Sequence, residues 1–410
     1  MVRNVARAGE NSRGQRPPRA RDRRGKEIVM PRSATTPDRV KIVSSLTRSG
    51  SSRGQSDSIV AAIRMRLDDA NWTVAGLPIV YEDLDGGSAE RGSWDPVAEA
   101  VNARRAAADP DVLAYIGTLD ADAAPFSIPI LNQAGPLLMI SPCNTYPGLT
   151  VAFEPGEPDV HYPTGTRNYA RTAVRDDRQG KFAAAWAREV GTRQAVVLHD
   201  GEPYGRGVAL PFADELAALG VKLPMPPLEI ERKRAEYRES AAAVASAQPD
   251  LVFYGGIIQN GAGPLWRALR PVLPYVTLMG ADALFERAFI QDAGEAAEGT
   301  LITFAGIAPE LLTGSGARFV KRYQELVGSP PESYAASAYD AVGAVLAGIA
   351  RAGPSDRAAI TRAVLSTRDF DGLLGRWSFD ANGDIDLDRG TRLVVAGGQF
   401  VARETAPLDP

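Results

Sequence analysis

From Val40 onward, short apolar runs alternate with stretches of helical periodicity. The runs Val40–Leu46, Leu77–Glu82, Val112–Gly117, Leu137–Ser141, Ala195–His199, Leu251–Gly255, Val276–Gly280 and Thr300–Phe304 read as strands. Leu137-Leu138-Met139-Ile140 is continuously apolar, which suits a strand covered on both faces of a parallel sheet. Between the first two runs, Gln55–Asn71 sets Ile59, Ile63 and Leu67 at i, i+4 and i+8, one face of an amphipathic helix. Asp95-Pro96 reads as an N-cap followed by proline at the first helical position, opening a helix through Ala107. Strand–helix alternation of this kind predicts an α/β fold whose parallel sheets are built by right-handed crossovers. Ser141-Pro142 ends its strand in a polar loop, and ligands bind at the carboxyl ends of such strands. Near the end of the chain, Asn382-Gly383 predicts a turn linking Trp377-Ser378-Phe379 to Leu393-Val394-Val395.

A chain of 410 residues has room for two domains with full cores. Its 44 % hydrophobic and 23 % charged content is ordinary for a globular protein. The net charge of −4 implies neither nucleic acid nor an anionic membrane as partner, but it conceals an asymmetry. Residues 1–39 hold eleven basic and four acidic groups, so +7, which leaves −11 for the remainder. That Pro- and Gly-containing basic head is expected to be a disordered extension, with Met30 as an alternative start. An export leader is not readable in it: only Ile28-Val29-Met30 is apolar, and no apolar segment of the roughly 7–15 residues a leader needs follows Arg23-Arg24.

The single cysteine, Cys143, excludes an internal disulfide and any cysteine-cluster zinc site. His161 and His199 are the only imidazoles, and neither lies in a nucleophile–base pattern. Walker-type and Gly-x-Gly-x-x-Gly phosphate loops are absent, so no cofactor and no enzymatic activity are expected. Asp380–Asp386 resembles an EF-hand loop only superficially. Its glycine falls at the fourth position rather than the sixth, and no glutamate stands at the twelfth.

An ordered set of short motifs carries more. Val40–Thr47 is followed by Gly54-Gln55 opening a helix, then by Ile79–Asp83 and Tyr115-Ile116-Gly117-Thr118. Gly135–Pro147, Arg171-Thr172, His199-Asp200 with Tyr204-Gly205, and Tyr254-Gly255-Gly256 come next. Gly280-Ala281-Asp282, Ala296–Gly299, Ala338–Val342, Phe370-Asp371-Gly372 and Phe379-Asp380 complete it. Together, over Val40 to Val401, they resemble the branched-chain amino-acid (Leu/Ile/Val)-binding branch of the type I periplasmic binding proteins, the ligand receptors of ABC importers. The resemblance implies two Rossmann-like lobes with parallel sheets joined by a three-segment hinge. One lobe would hold residues 40–170 and 304–372, the other 171–303 and 373–404. It implies a receptor that closes on a small amino acid or related amide, stands in the periplasm or at the cell surface, and hands its ligand to an ABC permease. A cytoplasmic, non-transport sensor of the same fold is the alternative that the unreadable leader leaves open.

The resemblance also implies site residues. After the first strand, Arg53 stands where relatives often carry an aromatic residue; it either forks a ligand carboxylate or faces solvent. In Thr118–Ala124 relatives usually offer hydroxyls. Here Thr118 is followed by Asp120 and Asp122, whose charge hints at a cationic or amide-bearing ligand. Ser141, Asn144 and Thr145 would touch the ligand head group. In the second lobe Tyr204 would line the cleft, Ile257 replaces a ligand-reaching tyrosine, and Asp282 matches an acid that holds the ligand's ammonium.

Overall fold

The computed structural model describes residues 38–409; the basic head expected to be disordered falls almost wholly outside them. Seventeen strands are formed: β1 (Val40–Leu46), β2 (Thr73–Val74), β3 (Leu77–Asp85), β4 (Gly87–Ser88), β5 (Ser93–Trp94), β6 (Val112–Gly117), β7 (Leu138–Ser141), β8 (Tyr169–Arg171), β9 (Ala195–His199), β10 (Leu228–Glu229), β11 (Leu251–Gly255), β12 (Thr277–Gly280), β13 (Leu301–Phe304), β14 (Phe370–Gly372), β15 (Gly375–Trp377), β16 (Gly390–Ala396) and β17 (Gln399–Ala406). The helices are α1 (Arg53–Asp69), α2 (Pro96–Ala108), α3 (Ala124–Asn132), α4 (Asp176–Glu189), α5 (Pro203–Ala218), α6 (Arg238–Ser246), α7 (Ala262–Val272), α8 (Arg287–Ala293), α9 (Ser315–Val327), α10 (Ala335–Ala352) and α11 (Arg357–Leu365).

Two sheets organise them. The first has the order β2-β3-β1-β6-β7-β8 and is parallel apart from β2. The second has the order β10-β9-β11-β12-β13-β16-β17, parallel through β13, with β16 and β17 added antiparallel. In each, the chain moves outward from one strand and then returns to its other side, at β1/β6 and at β9/β11. The crevices beyond those two switch points are where open α/β sheets bind ligands. Strands β6, β7, β9 and β11 are buried at every position, the mark of parallel strands covered on both faces. One apolar cluster runs continuously through residues of both sheets, from Val40 and Ile116 to Val196 and Leu278.

Local chemistry explains the helix ends. Ile59, Ile63 and Leu67 are fully buried on the inner face of α1. That helix stops where Asn71 and Trp72 take positive φ. Asp95 caps α2, its carboxylate accepting from Val97 N at 2.8 Å and Ala98 N at 3.2 Å, with Pro96 at the first position. Helices α10 and α11 pack on α1 and β7, so the stretch after β13 returns to the first sheet.

The late turn differs from expectation. Asn382-Gly383 closes a single bridge between Phe379 and Ile385. Trp377 instead pairs within the β14/β15 hairpin, while Leu393 belongs to β16 of the second sheet. The turn is pinned from far away: Arg171 N donates to Gly383 O at 3.0 Å. The Arg171 side chain, 0 % exposed, meets Asp384 at 2.6 Å and donates to Tyr146 O at 2.7 Å and to the Thr150 hydroxyl. Asp384 also accepts from Arg175 at 2.9 Å. Burial alone would raise the Asp384 carboxyl, but the two guanidiniums outweigh it and hold the group below its ordinary value.

Candidate functional site

The loops beyond both switch points enclose a cavity of about 50 Å³. From the first sheet come Ser52 and Gln55 at the start of α1, Leu119 to Asp122 after β6, and Cys143 and Thr145 after β7. From the second come Tyr204 in the first turn of α5, Ile257 and Gln259 after β11, and Asp282, Ala283 and Glu286 after β12. Tyr334, one residue before α10, closes the ring.

Hydrogen bonds cross between the two walls. Tyr204 N donates to Asp122 Oδ1 at 3.0 Å. Gln259 Nε2 donates to Ser51 Oγ at 2.8 Å and to Ser52 Oγ at 2.5 Å. Outside the cavity, Lys233 Nζ donates to Arg91 O at 3.1 Å. The molecule is therefore drawn shut around the space. Asp282 sits at its inner face with each oxygen engaged: Tyr204 OH donates to Oδ1 at 3.0 Å, and Tyr334 OH to Oδ2 at 2.6 Å.

Of the residues anticipated from sequence, Asp120, Thr145, Tyr204, Ile257 and Asp282 all reach this one cavity. Three others stand behind it and build its wall. Ser141 Oγ donates to Thr118 O at 3.0 Å and accepts from Cys143 N at 3.2 Å and Asn144 N at 2.9 Å. Asn144 Nδ2 donates to Thr118 O at 2.9 Å and Leu119 O at 3.0 Å, and Thr118 Oγ1 to Asp120 O at 2.6 Å. These side chains spend their polar atoms on the loop backbone, so they hold its shape rather than the space inside. Arg53 corrects the expectation of a carboxylate fork. Its side chain is 72 % exposed and pairs with Asp57 at 3.4 Å, one turn along α1, facing away from the cavity.

Sequence reasoning passed over Gln55, Glu286 and Tyr334. Gln55 lies three residues after Ser52 in the first turn of α1, a spacing that keeps both on one side, whereas Glu286 follows the short turn after Asp282 in extended backbone and left no periodic signal. Tyr334 arrives from a segment remote in sequence and left no local signal.

The electrostatics are one-sided. Burial, seconded by the neighbouring Glu202 carboxylate, pushes Asp122 well above the usual carboxylate range. Asp120 is pushed up to about 6, chiefly by burial, with the Thr47 hydroxyl pulling against it. Burial likewise raises Glu286, and raises Asp282 against the two tyrosine hydroxyls that favour its charged form. Asp176, at the start of α4, is raised by burial and by Asp282, with the Thr145 hydroxyl pulling against them.

A raised carboxyl binds its proton in the folded chain at a pH where the unfolded chain has released it. Its contribution to stability therefore falls as pH climbs from about 4, the unfolded value, through the folded one. Nine carboxyls are raised in this way among the described residues. Only His161 and His199, lowered by burial, act in the opposite sense over this range. The protein without added ligand is thus expected to unfold at a temperature several degrees higher at pH 5 than at pH 7.5. Thermal melts across that range check it, and a midpoint rising with pH would contradict the burial of these acids.

The geometry agrees with comparisons to known proteins. A family profile described as periplasmic binding protein matches residues 39–397. The Leu/Ile/Val-binding protein BraC3 of Rhizobium johnstonii is 26 % identical over 277 residues, covering 67 % of this chain and 71 % of that protein. A Leu/Ile/Val-binding protein homolog of Brucella suis is 29 % identical over 238 residues, 57 % of this chain and 62 % of its own. Among solved structures, a leucine binding protein, LivK, from Thermotoga maritima superposes with a TM-score of 0.79 at 24 % identity, over 90 % of this chain and 99 % of that one. A solute binding protein from R. palustris in complex with benzoate gives 0.75 at 19 % identity, over 90 % and 97 %. These structures share the fold of two α/β lobes, and, with the profile spanning nearly all of the described residues, the chain belongs to the periplasmic binding protein family.

Proposed function

We propose that the protein is the solute-binding receptor of an ABC importer, closing two lobes on a small amino acid or a related amide. The lobes are residues 40–170 with 304–372, and 171–303 with 373–404, with a hinge of three chain passages between them. The observation that carries this reading is the single cavity walled by strand-end loops of both sheets and tied across by Tyr204 and Gln259. A ligand that touches both walls binds the closed state better than the open one, and that difference in affinity shifts the population toward closure. Asp282 takes the ligand's ammonium as a third donor beside Tyr204 and Tyr334, and Thr145 faces the head group. Relatives named for leucine, isoleucine and valine support an amine-bearing solute. Delivery to a membrane permease from the periplasm or cell surface follows from the family. Among the described residues no helix is long and apolar enough to cross a membrane.

Thermal unfolding against a panel of amino acids, amides, amines and small carboxylates tests this. A ligand at about 100 times its dissociation constant adds about 2.7 kcal/mol, and the midpoint rises. Asp282→Ala is expected to abolish the rise. A flat response to the whole panel from folded protein would sink the receptor reading.

A further inference from the structure

The cavity wall is short of positive charge and rich in unspent acceptors. Asp120, Asp122, Asp282 and Glu286 all line it, and among the described residues no lysine or arginine does. The nearby guanidiniums are committed elsewhere: Arg53 to Asp57 on the surface, Arg232 to Glu202, and Arg287 to Glu332 at 3.3 Å. An independent sign comes from an uncharged group. Gln55 is only 4 % exposed and lines the same space. Its Nε2 is spent on Ser333 Oγ at 2.7 Å, while its Oε1 has no partner. Asp122 Oδ2, equally buried, meets no N–H donor and lies against the Glu202 carboxyl instead. A buried acceptor without a donor is expensive, and a buried carboxylate without a cation more so. Gln55 therefore asks for an N–H group carried in by a ligand, and a cationic ligand would favour the charged form of the acids around it.

We infer that the receptor's ligand is a small organic cation with two ammonium-type centres, a short aliphatic diamine, rather than a zwitterionic amino acid. This rests on the receptor reading above and specifies its ligand. A zwitterion would bring a carboxylate into a wall that already holds four acids, and Arg53 does not turn inward to meet it. Size points the same way. At about 10–15 Å³ for each water-sized group, the cavity takes about three to five of them. A chain of three carbons with an amine at each end, five groups in all, suits that space better than a branched side chain with its own head group.

The test is calorimetric titration of the full chain at pH 7.5 with 1,3-diaminopropane, 1,4-diaminobutane, leucine and alaninamide, repeated on Asp122→Asn and on Glu286→Gln. Both variants remove a charge that burial disfavours, so they are expected to fold at least as well as the parent, and a melt confirms it. The diamines are expected to bind, leucine to bind at least tenfold more weakly, and each variant to lose about tenfold or more in diamine affinity. Binding of leucine without binding of the diamines overturns the assignment of charge class and leaves the receptor standing. So does diamine binding that neither folded variant weakens. Binding by alaninamide alone shows that one positive centre suffices and overturns the diamine. Silence from all four compounds overturns this inference, and the receptor reading falls only if the wider panel of solutes is silent too.

Discussion

Asp384→Ala is expected to lower the stability of the protein by about 3–5 kcal/mol, the usual consequence of removing one member of a buried ion pair. The reason lies in what remains. Arg171 has no exposure, and its guanidinium reaches Asp384, Tyr146 O and Thr150 Oγ1. Without the carboxylate, a full positive charge is left inside the protein with neutral acceptors alone. The substitution also frees Arg175 and Thr150, which meet the other oxygen at 2.9 Å and 3.0 Å. The β8 edge and the turn after Phe379 are held together at this point, so the damage reaches a segment where the chain passes between sheets. Urea unfolding measures it. The double replacement Arg171→Met with Asp384→Leu should lose much less than the single one, because apolar side chains of similar volume leave no orphaned charge. A single variant within about 1 kcal/mol of the parent would contradict the buried pairing.

Gly117→Ala carries the second large effect. Gly117 ends β6 with φ +151°, and a Cβ there would lie 2.4 Å from Ser45 O on the neighbouring strand. Backbone strain of this kind amounts to roughly 1–3 kcal/mol, and forcing a methyl against a fixed carbonyl adds roughly 1–3 kcal/mol. The loop that leaves Gly117 carries Leu119, Asp120, Ala121 and Asp122 into the cavity. The variant should therefore lose ligand affinity as well as stability. Chemical unfolding together with a ligand titration separates the two losses. A parent-like midpoint would mean that β1 and β6 can part without strain.

The long elements were legible because their signals are local. Strands β1, β6, β9 and β11 run between the residues anticipated for them, and the last three are continuous apolar runs cut off by a glycine or polar residue. Strands of two or three residues were not. β2, β4, β5, β10 and β14 exist only through the neighbour they pair with, and nothing in two or three residues announces a neighbour. β8 ends in an arginine, which no strand pattern would bury; its partner Asp384 stands 213 residues away. The same division holds for the cavity. Asp120, Thr145, Tyr204, Ile257 and Asp282 follow strand ends and could be placed from them. Tyr334 depends on how the chain returns to the first sheet. Arg53 shows the opposite failure: a loop-to-helix arginine suggests an anion fork, yet a helical turn offers it Asp57 and water instead.

The wall of the cavity also contains the chain's only thiol. Cys143 is buried, its Sγ lies 3.3 Å from Thr118 O and 3.4 Å from Leu119 O, and burial keeps it protonated well beyond ordinary cysteine. An alkylating reagent can reach it only while the two walls are apart. The protein thus comes with a built-in chemical clock: the rate at which this one sulfur is capped counts the moments of opening, and a solute that holds the walls together slows that clock without any label being engineered in.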